Sequence, residues 1–107
     1  MEKENFNGFK NEEELEEITA KIDYVISCSI SVSDFDGFDV TYDGKESVIY
    51  VCLYFSNYHI NIELWADQNV EVHIYDNHTI NYDIVDIIAE LREMLMDGEF
   101  DEYFEEN

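Results

Sequence analysis

The chain has 107 residues, and its 5 basic side chains against 27 acidic ones leave a formal net charge of −22. So few cations cannot neutralise a phosphate backbone or an anionic membrane leaflet, which excludes direct nucleic-acid binding and membrane-surface binding. No stretch approaches the roughly 20 apolar residues that a membrane span needs. Because 46% of the residues are hydrophobic and 15% aromatic, the composition predicts one soluble domain with a buried core.

The cysteines and the N-terminus favour a cytoplasmic protein. Cys28 and Cys52 lie in apolar runs and are interpreted as reduced core thiols, since two cysteines do not make a secreted disulfide framework. The first residues lack the cationic start and apolar block of a secretory signal, so we expect no export. Isolated glycines and histidines offer neither a phosphate-binding loop nor an activated nucleophile. We therefore expect no enzyme, no catalytic residue and no cofactor.

The pattern divides the chain into a loose N-terminal arm over residues 1–10, a single domain over 11–98 and an acidic C-terminal tail over 99–107. A helix is predicted to begin at Asn11, with Glu14 as its capping-box partner, and to end near residues 20–21. Alternation of apolar and polar residues then predicts a half-buried strand over 22–32.

Four further strands are predicted over residues 38–42, 47–55, 58–66 and 70–75. Asp43–Gly44 is typical of a hairpin turn. The strand over 47–55 is apolar on both faces, which predicts a central strand covered on both sides. One helix on each face would cover it, and the rival explanation is a homodimer that covers one face.

The last predicted element is an amphipathic helix, which Thr79 or Asn81 caps and Gly98 ends. The element order predicts an α+β fold, namely a five-stranded antiparallel meander sheet with an N-terminal and a C-terminal helix packed on it.

The strongest functional pattern lies on this second helix, where acidic residues recur at i, i+3, i+7, i+10 and i+14, opposite the apolar stripe. At a rise of ~1.5 Å per residue they cover about 21 Å, with roughly 5 Å between neighbours. Each DNA strand carries a phosphate per ~3.4 Å of axis, which is a comparable spacing. The candidate partner-binding residues are these five acids, three acids of the tail and a tryptophan, namely Asp83, Asp86, Glu90, Glu93, Asp97, Glu99, Asp101, Glu102 and Trp65.

The outer face of the sheet offers two weaker patterns. If the last two strands pair across residues 67–69, Glu63 faces His73, with His59 further along. These residue types are zinc ligands, but a cross-strand charge pair is favoured, so no metal site is expected. Trp65, placed opposite Glu71, is interpreted equally as a contact anchor or as a side chain that the N-terminal helix covers.

In size, charge density, α+β layout and lined carboxylates the chain resembles the small acidic DNA-mimic proteins of phages and mobile elements. These include inhibitors of restriction enzymes, of uracil-DNA glycosylase and of CRISPR nucleases. The resemblance implies a monomer or homodimer that occupies the basic cleft of a nuclease or a similar nucleic-acid-binding protein, in the host cytoplasm if a phage encodes it.

Two alternatives remain open at this point. An immunity protein that neutralises a nuclease toxin would use similar acids. A solvated acidic structural domain or a cation-binding domain would need no such partner.

The charge imbalance leads to the first prediction. Since repulsion between exposed carboxylates is screened within about 10 Å at 0.1 M salt, added NaCl should raise the melting temperature. A melting temperature that stays flat from low to moderate salt would show that the charges are already compensated.

Overall fold

The structure is a computed structural model that describes residues 6–29, 35–56, 58–75 and 82–104, without the side chains of 82 and 83. The antiparallel sheet has the strand order β1-β2-β3-β4. The predicted α+β class and antiparallel meander are therefore confirmed. In chain order the elements are α1 (Glu12–Ser29), β1 (Phe35–Asp43), β2 (Val48–Phe55), β3 (His59–Trp65), β4 (Val70–Tyr75), α2 (Tyr82–Met96) and α3 (Asp101–Phe104).

The prediction of five strands is wrong, because the sheet has four strands within the described residues. The predicted helix end near residues 20–21 is also wrong, since α1 continues to Ser29 and takes up residues 22–29 of the predicted first strand. Residues 30–32 of that strand lie outside the described part of the chain. Ile22 and Ile26 satisfy both periods, but with Ile18 and Val25 they form one buried helical stripe, and no glycine or proline interrupts it.

The core lies between one face of the sheet and the two long helices. The inner face of β2 presents Ile49, Val51, Leu53 and Phe55, all buried in the same cluster as the apolar stripes of α1 and α2. On the opposite face of β2, Tyr54 is exposed, Tyr50 and Cys52 are half-buried, and Val48 at the start of the strand is buried but lies outside that cluster. The prediction of one helix on each face is therefore wrong, and we call the uncovered side the open sheet face.

The described end of the predicted N-terminal arm packs along β1. The Tyr42 backbone N–H donates to the Asn7 carbonyl oxygen at 2.8 Å, and Asn7 Nδ2 donates to the Val40 carbonyl oxygen at 3.0 Å. Gly8 has φ +91°, and a β-carbon there would collide with the Tyr42 carbonyl oxygen. Phe9 follows into the core, so residues 6–10 belong to the packed domain.

The predicted acidic tail is also partly packed. Gly98, at φ +86°, ends α2, with Gly98 N–H donating to Leu95 O at 3.2 Å and Glu99 N–H to Met94 O at 3.0 Å. This pair of bonds is the Schellman pattern, which reverses the chain direction. Phe100, directly before the short helix α3, and Tyr103 within it are both buried in the core. Burial of these large aromatic rings stabilises the packed segment.

The burial of only one face of the sheet can be tested by substituting two neighbouring residues of β3. Ile62 is fully buried, whereas Asn61 lies on the open sheet face. Ile62→Ala should lower the free energy of unfolding by about 2–5 kcal/mol, and Asn61→Ala by less than about 1 kcal/mol. Urea unfolding measures both. Equal losses would mean that a further layer covers the open sheet face.

Candidate partner-binding surface

Helix α2 and the residue directly after it present four of the predicted acids to solvent. Asp86, Glu90 and Glu93 are exposed within α2, and Asp97 is exposed directly after its end, where its backbone N–H still donates to Glu93 O at 2.9 Å. Asp83 lies in the helix with its side chain outside the described part. The side chains that hold α2 on the sheet are at most 1% exposed, namely Ile84, Ile87, Leu91 and Leu95. The acids are thus fixed to a helix that the core immobilises.

The chain reversal at Gly98 brings three further predicted acids onto ordered backbone. Glu99, Asp101 and Glu102 are exposed, while their neighbours Phe100 and Tyr103 are buried. Together these residues extend the charged surface past the end of α2. We call the combined surface the acidic helix face; it consists of Asp86, Glu90, Glu93, Asp97, Glu99, Asp101 and Glu102.

Internal cations leave this surface almost uncompensated. Within the described residues, the ion pairs with N···O of at most 4.0 Å are Lys10–Glu14 at 3.8 Å and the contacts of His73 with two glutamates. None of them includes a carboxylate of the acidic helix face. Lys21 Nζ donates instead to the backbone carbonyl of Glu99 at 2.9 Å and lies 5.2 Å above the Tyr103 ring. In the described part of the chain, the carboxylates of this surface are therefore exposed without a close ion pair, and Lys21 acts on Glu102 only at longer range.

One end of the acidic helix face is tied to α1 by a hydrogen-bonded cluster. The Tyr103 hydroxyl donates to Glu17 Oε1 at 2.9 Å. A hydrogen bond shared between the Glu17 and Glu102 carboxyls, together with the Tyr103 bond, lowers the pKa of Glu17. The same shared bond, with partial desolvation and the nearby Glu17 charge, raises the pKa of Glu102. Burial, followed by the bond to Glu17, raises the pKa of Tyr103.

A cleft of about 380 Å³ runs between α1 and α2 beside these acids. Glu90 and Glu99 of the acidic helix face stand on its rim, and Tyr24 and Met94 supply apolar lining. Tyr24 is 72% exposed. The sequence interpretation missed this cleft because it placed Tyr24 in a strand; the helical spacing of Ile18, Ile22, Val25 and Ile26 was the signal that could have found it.

Trp65 is not part of this surface. It lies on the open sheet face, whereas α1 and α2 pack on the other face, so the N-terminal helix does not cover it. Its indole Nε1 donates to Glu63 Oε1 at 3.0 Å. The predicted pairing of Trp65 with Glu71 is wrong by two residues, since the backbone N–H of Trp65 donates to Asn69 and Glu71 pairs with Glu63.

Aromatic and polar side chains cover the rest of the open sheet face. His59 stacks on Tyr75 with ring centroids 4.6 Å apart. The Tyr54 hydroxyl donates to Asp39 Oδ2 at 3.0 Å. Interactions with Cys52 and with Asp39 raise the pKa of Tyr54. This side of the molecule therefore differs in chemistry from the acidic helix face.

Comparisons of the chain with protein-family models, with curated proteins and with solved structures find no match. Among the helices in the described residues, none has the length and apolar character needed to cross a membrane.

The carboxyl pair yields a pH prediction. Because the pKa of Glu102 is raised in the fold, protonating Glu102 favours folding, and this contribution is lost as the pH rises through the raised value. The lowered pKa of Glu17 acts in the opposite sense, with its contribution lost as the pH falls through the lowered value. Glu102→Gln keeps a neutral donor beside Glu17 at every pH. It should therefore melt at a higher temperature than the wild type at pH 7, by an amount that shrinks as the pH falls toward 4.5.

Glu93→Gln is the matched control, since it removes one exposed charge away from Glu17. General relief of repulsion raises the melting temperature of both variants alike at pH 7. An equal gain from the two substitutions would contradict a specific bond between the Glu17 and Glu102 carboxyls.

Proposed function

We propose that this protein is an inhibitor that mimics nucleic acid, and that its acidic helix face occupies the basic DNA- or RNA-binding cleft of a nucleic-acid-processing enzyme. The observation that carries the proposal is the uncompensated row of carboxylates on α2 and the segment after it. A solvated helix face usually mixes both signs, whereas Arg92 is the one basic residue in the described part of α2.

The spacing of the carboxylates supports this function. Asp97 follows Asp86 by eleven positions, which corresponds to about 16 Å along a helix. Four carboxylates over this length stand roughly 5 Å apart, comparable with the phosphates of a nucleic-acid strand. Since α2 is packed on the sheet, the row is preformed, and binding does not have to order it.

The charge of the whole molecule supports fast encounter with a cationic cleft. Complementary potentials raise association rates and make them dependent on ionic strength. Carboxylates alone give weak contacts, because an exposed ion pair is worth ~0.2–1 kcal/mol. Tyr24, in the cleft beside Glu90 and Glu99, adds the exposed aromatic contact that interfaces often use as an anchor.

The proposal is tested with two variants of equal charge change. The helix variant removes four charges from the acidic helix face: D86N, E90Q, E93Q and D97N. The sheet variant removes four charges from β1, β3, β4 and the β1–β2 turn: D36N, E46Q, E63Q and E71Q. Neither set includes a residue of the core, so both variants should fold.

The immobilised protein captures partners from a lysate at low salt, and the captured enzyme is then purified. Duplex DNA or RNA should displace the enzyme from the wild-type protein, and the protein should inhibit its activity. The helix variant should lose roughly 1–4 kcal/mol of binding free energy, as four exposed ion pairs contribute together. The binding of the helix variant should also depend much less on salt concentration than the binding of the wild type.

Binding by the wild type and both variants is measured at the same salt concentration, and a chelator removes metal ions. Weaker binding by the sheet variant with unchanged binding by the helix variant would contradict the proposal and assign the contact to the open sheet face. A captured partner that nucleic acid does not displace would contradict mimicry.

A further inference from the structure

The open sheet face brings two carboxylates and an imidazole together on β3 and β4. Glu63 and Glu71 are paired directly across the two strands, and His73, which pairs with Asn61, lies diagonally from Glu63. His73 Nε2 is 3.2 Å from Glu63 Oε2 and 3.7 Å from Glu71 Oε1. One donor atom of each residue lies within 4.8 Å of the others. The three donors therefore form one compact cluster.

We propose that Glu63, Glu71 and His73 form a binding site for a divalent transition-metal ion of the Zn²⁺ type. Zinc bonds to nitrogen and oxygen measure about 2.0–2.2 Å, so two ligands of a tetrahedral ion stand about 3.4 Å apart. The two measured distances fall on either side of this value. The Glu63 and Glu71 oxygens lie within 4.8 Å of each other, so rotation of the exposed Glu71 side chain can bring the third ligand to the ion without a change in the strands.

The donor types select the class of metal. Carboxylate oxygens alone suit Mg²⁺ and Ca²⁺, whereas an imidazole nitrogen suits Zn²⁺ and its transition-metal neighbours. The side chains of Glu71 and His73 are 57% and 43% exposed, which leaves room for water in a fourth position. Three protein ligands and an open fourth position distinguish this site from structural zinc sites, which the protein closes with four ligands.

The charges around the site favour a dication. Like charges directly opposite each other in an antiparallel pair destabilise a sheet, yet Glu63 stands opposite Glu71. Within the described residues, no lysine or arginine nitrogen lies within 4.0 Å of either carboxylate. A protonated His73 supplies one positive charge, and a bound dication supplies two, which balances the carboxylates.

Trp65 orients one of the three ligands through a hydrogen bond. Its Nε1–H donates to Glu63 Oε1 at 3.0 Å, while Glu63 Oε2 faces His73. A hydrogen bond to the second oxygen of a ligating carboxylate fixes the orientation of the first. The Glu63 side chain is only 15% exposed, so it is the most buried of the three ligands. Trp65 thus acts as a positioning residue and not as a partner anchor.

The site does not depend on the proposed function, since it lies across the sheet from the acidic helix face. The alternative is a plain cross-strand pair of His73 with the two glutamates. Both interpretations use the same contacts, but they differ in whether a metal ion binds to them selectively.

The experiment titrates the full chain, stripped with a chelator, with Zn²⁺ at pH 7 in 0.15 M NaCl and follows binding by calorimetry. One Zn²⁺ per chain should bind in a saturable step that excess Mg²⁺ does not remove. His73→Gln and Glu63→Gln should each abolish this step. Trp65→Phe should weaken it by about 10- to 100-fold, as the loss of an outer hydrogen bond usually does.

His59→Gln is the matched control, because it removes an imidazole from the same face but outside the cluster, and it should leave the step unchanged. Co²⁺ gives a second readout through the visible absorption of a tetrahedral site, and circular dichroism verifies that each variant is folded. Equal Zn²⁺ binding by the wild type and folded His73→Gln would overturn the site and show diffuse attraction to the acidic surface. The absence of a saturable step in the wild type would overturn it as well.

Discussion

Burial of one face of the four-stranded sheet beneath α1 and α2 is the contact on which the rest of the structure depends. It gathers the apolar side chains of every strand and both long helices into one cluster. No charged side chain is buried among the described residues, so the excess negative charge is carried on the surface. The apolar layer must therefore hold the fold together against repulsion that acts over the whole exterior.

The same contact separates two surfaces of different chemistry. The outer side of the helices presents carboxylates and a cleft with an exposed tyrosine. The open sheet face presents tyrosines, histidines, Trp65 and only a few acids. Because the sheet lies between them, a substitution on one surface leaves the contacts of the other intact, which makes the two proposals separately testable.

The sheet was largely predictable from the sequence, and the first helix was not. Strict alternation along β3 and the Asp43–Gly44 turn indicate strands and a hairpin without tertiary information. Residues 22–29 satisfy a period of two and a helical period together, and only the fit of Ile22 and Val25 against the sheet decides between them. Local pattern cannot supply that information.

The candidate surfaces were likewise predictable from the sequence only in part. The exposed positions of Asp86 to Asp97 follow from helical spacing once α2 is recognised. The packing of Phe100 and Tyr103 depends on the reversal at Gly98 and on space left in the core, which spacing does not reveal. Likewise, the meeting of Glu63, Glu71 and His73 depends on a register that the sequence interpretation placed two residues away.

The central claim is that the acidic helix face is the surface in contact with a cationic partner. Carbodiimide labelling of carboxylates, read residue by residue by mass spectrometry, tests it most directly when free and partner-bound protein are compared. We predict that binding protects Asp86, Glu90, Glu93 and Asp97 and leaves Asp36 and Glu46 as reactive as in the free protein. Protection of Asp36, Glu46 or Glu71 with unchanged labelling along α2 would contradict the claim.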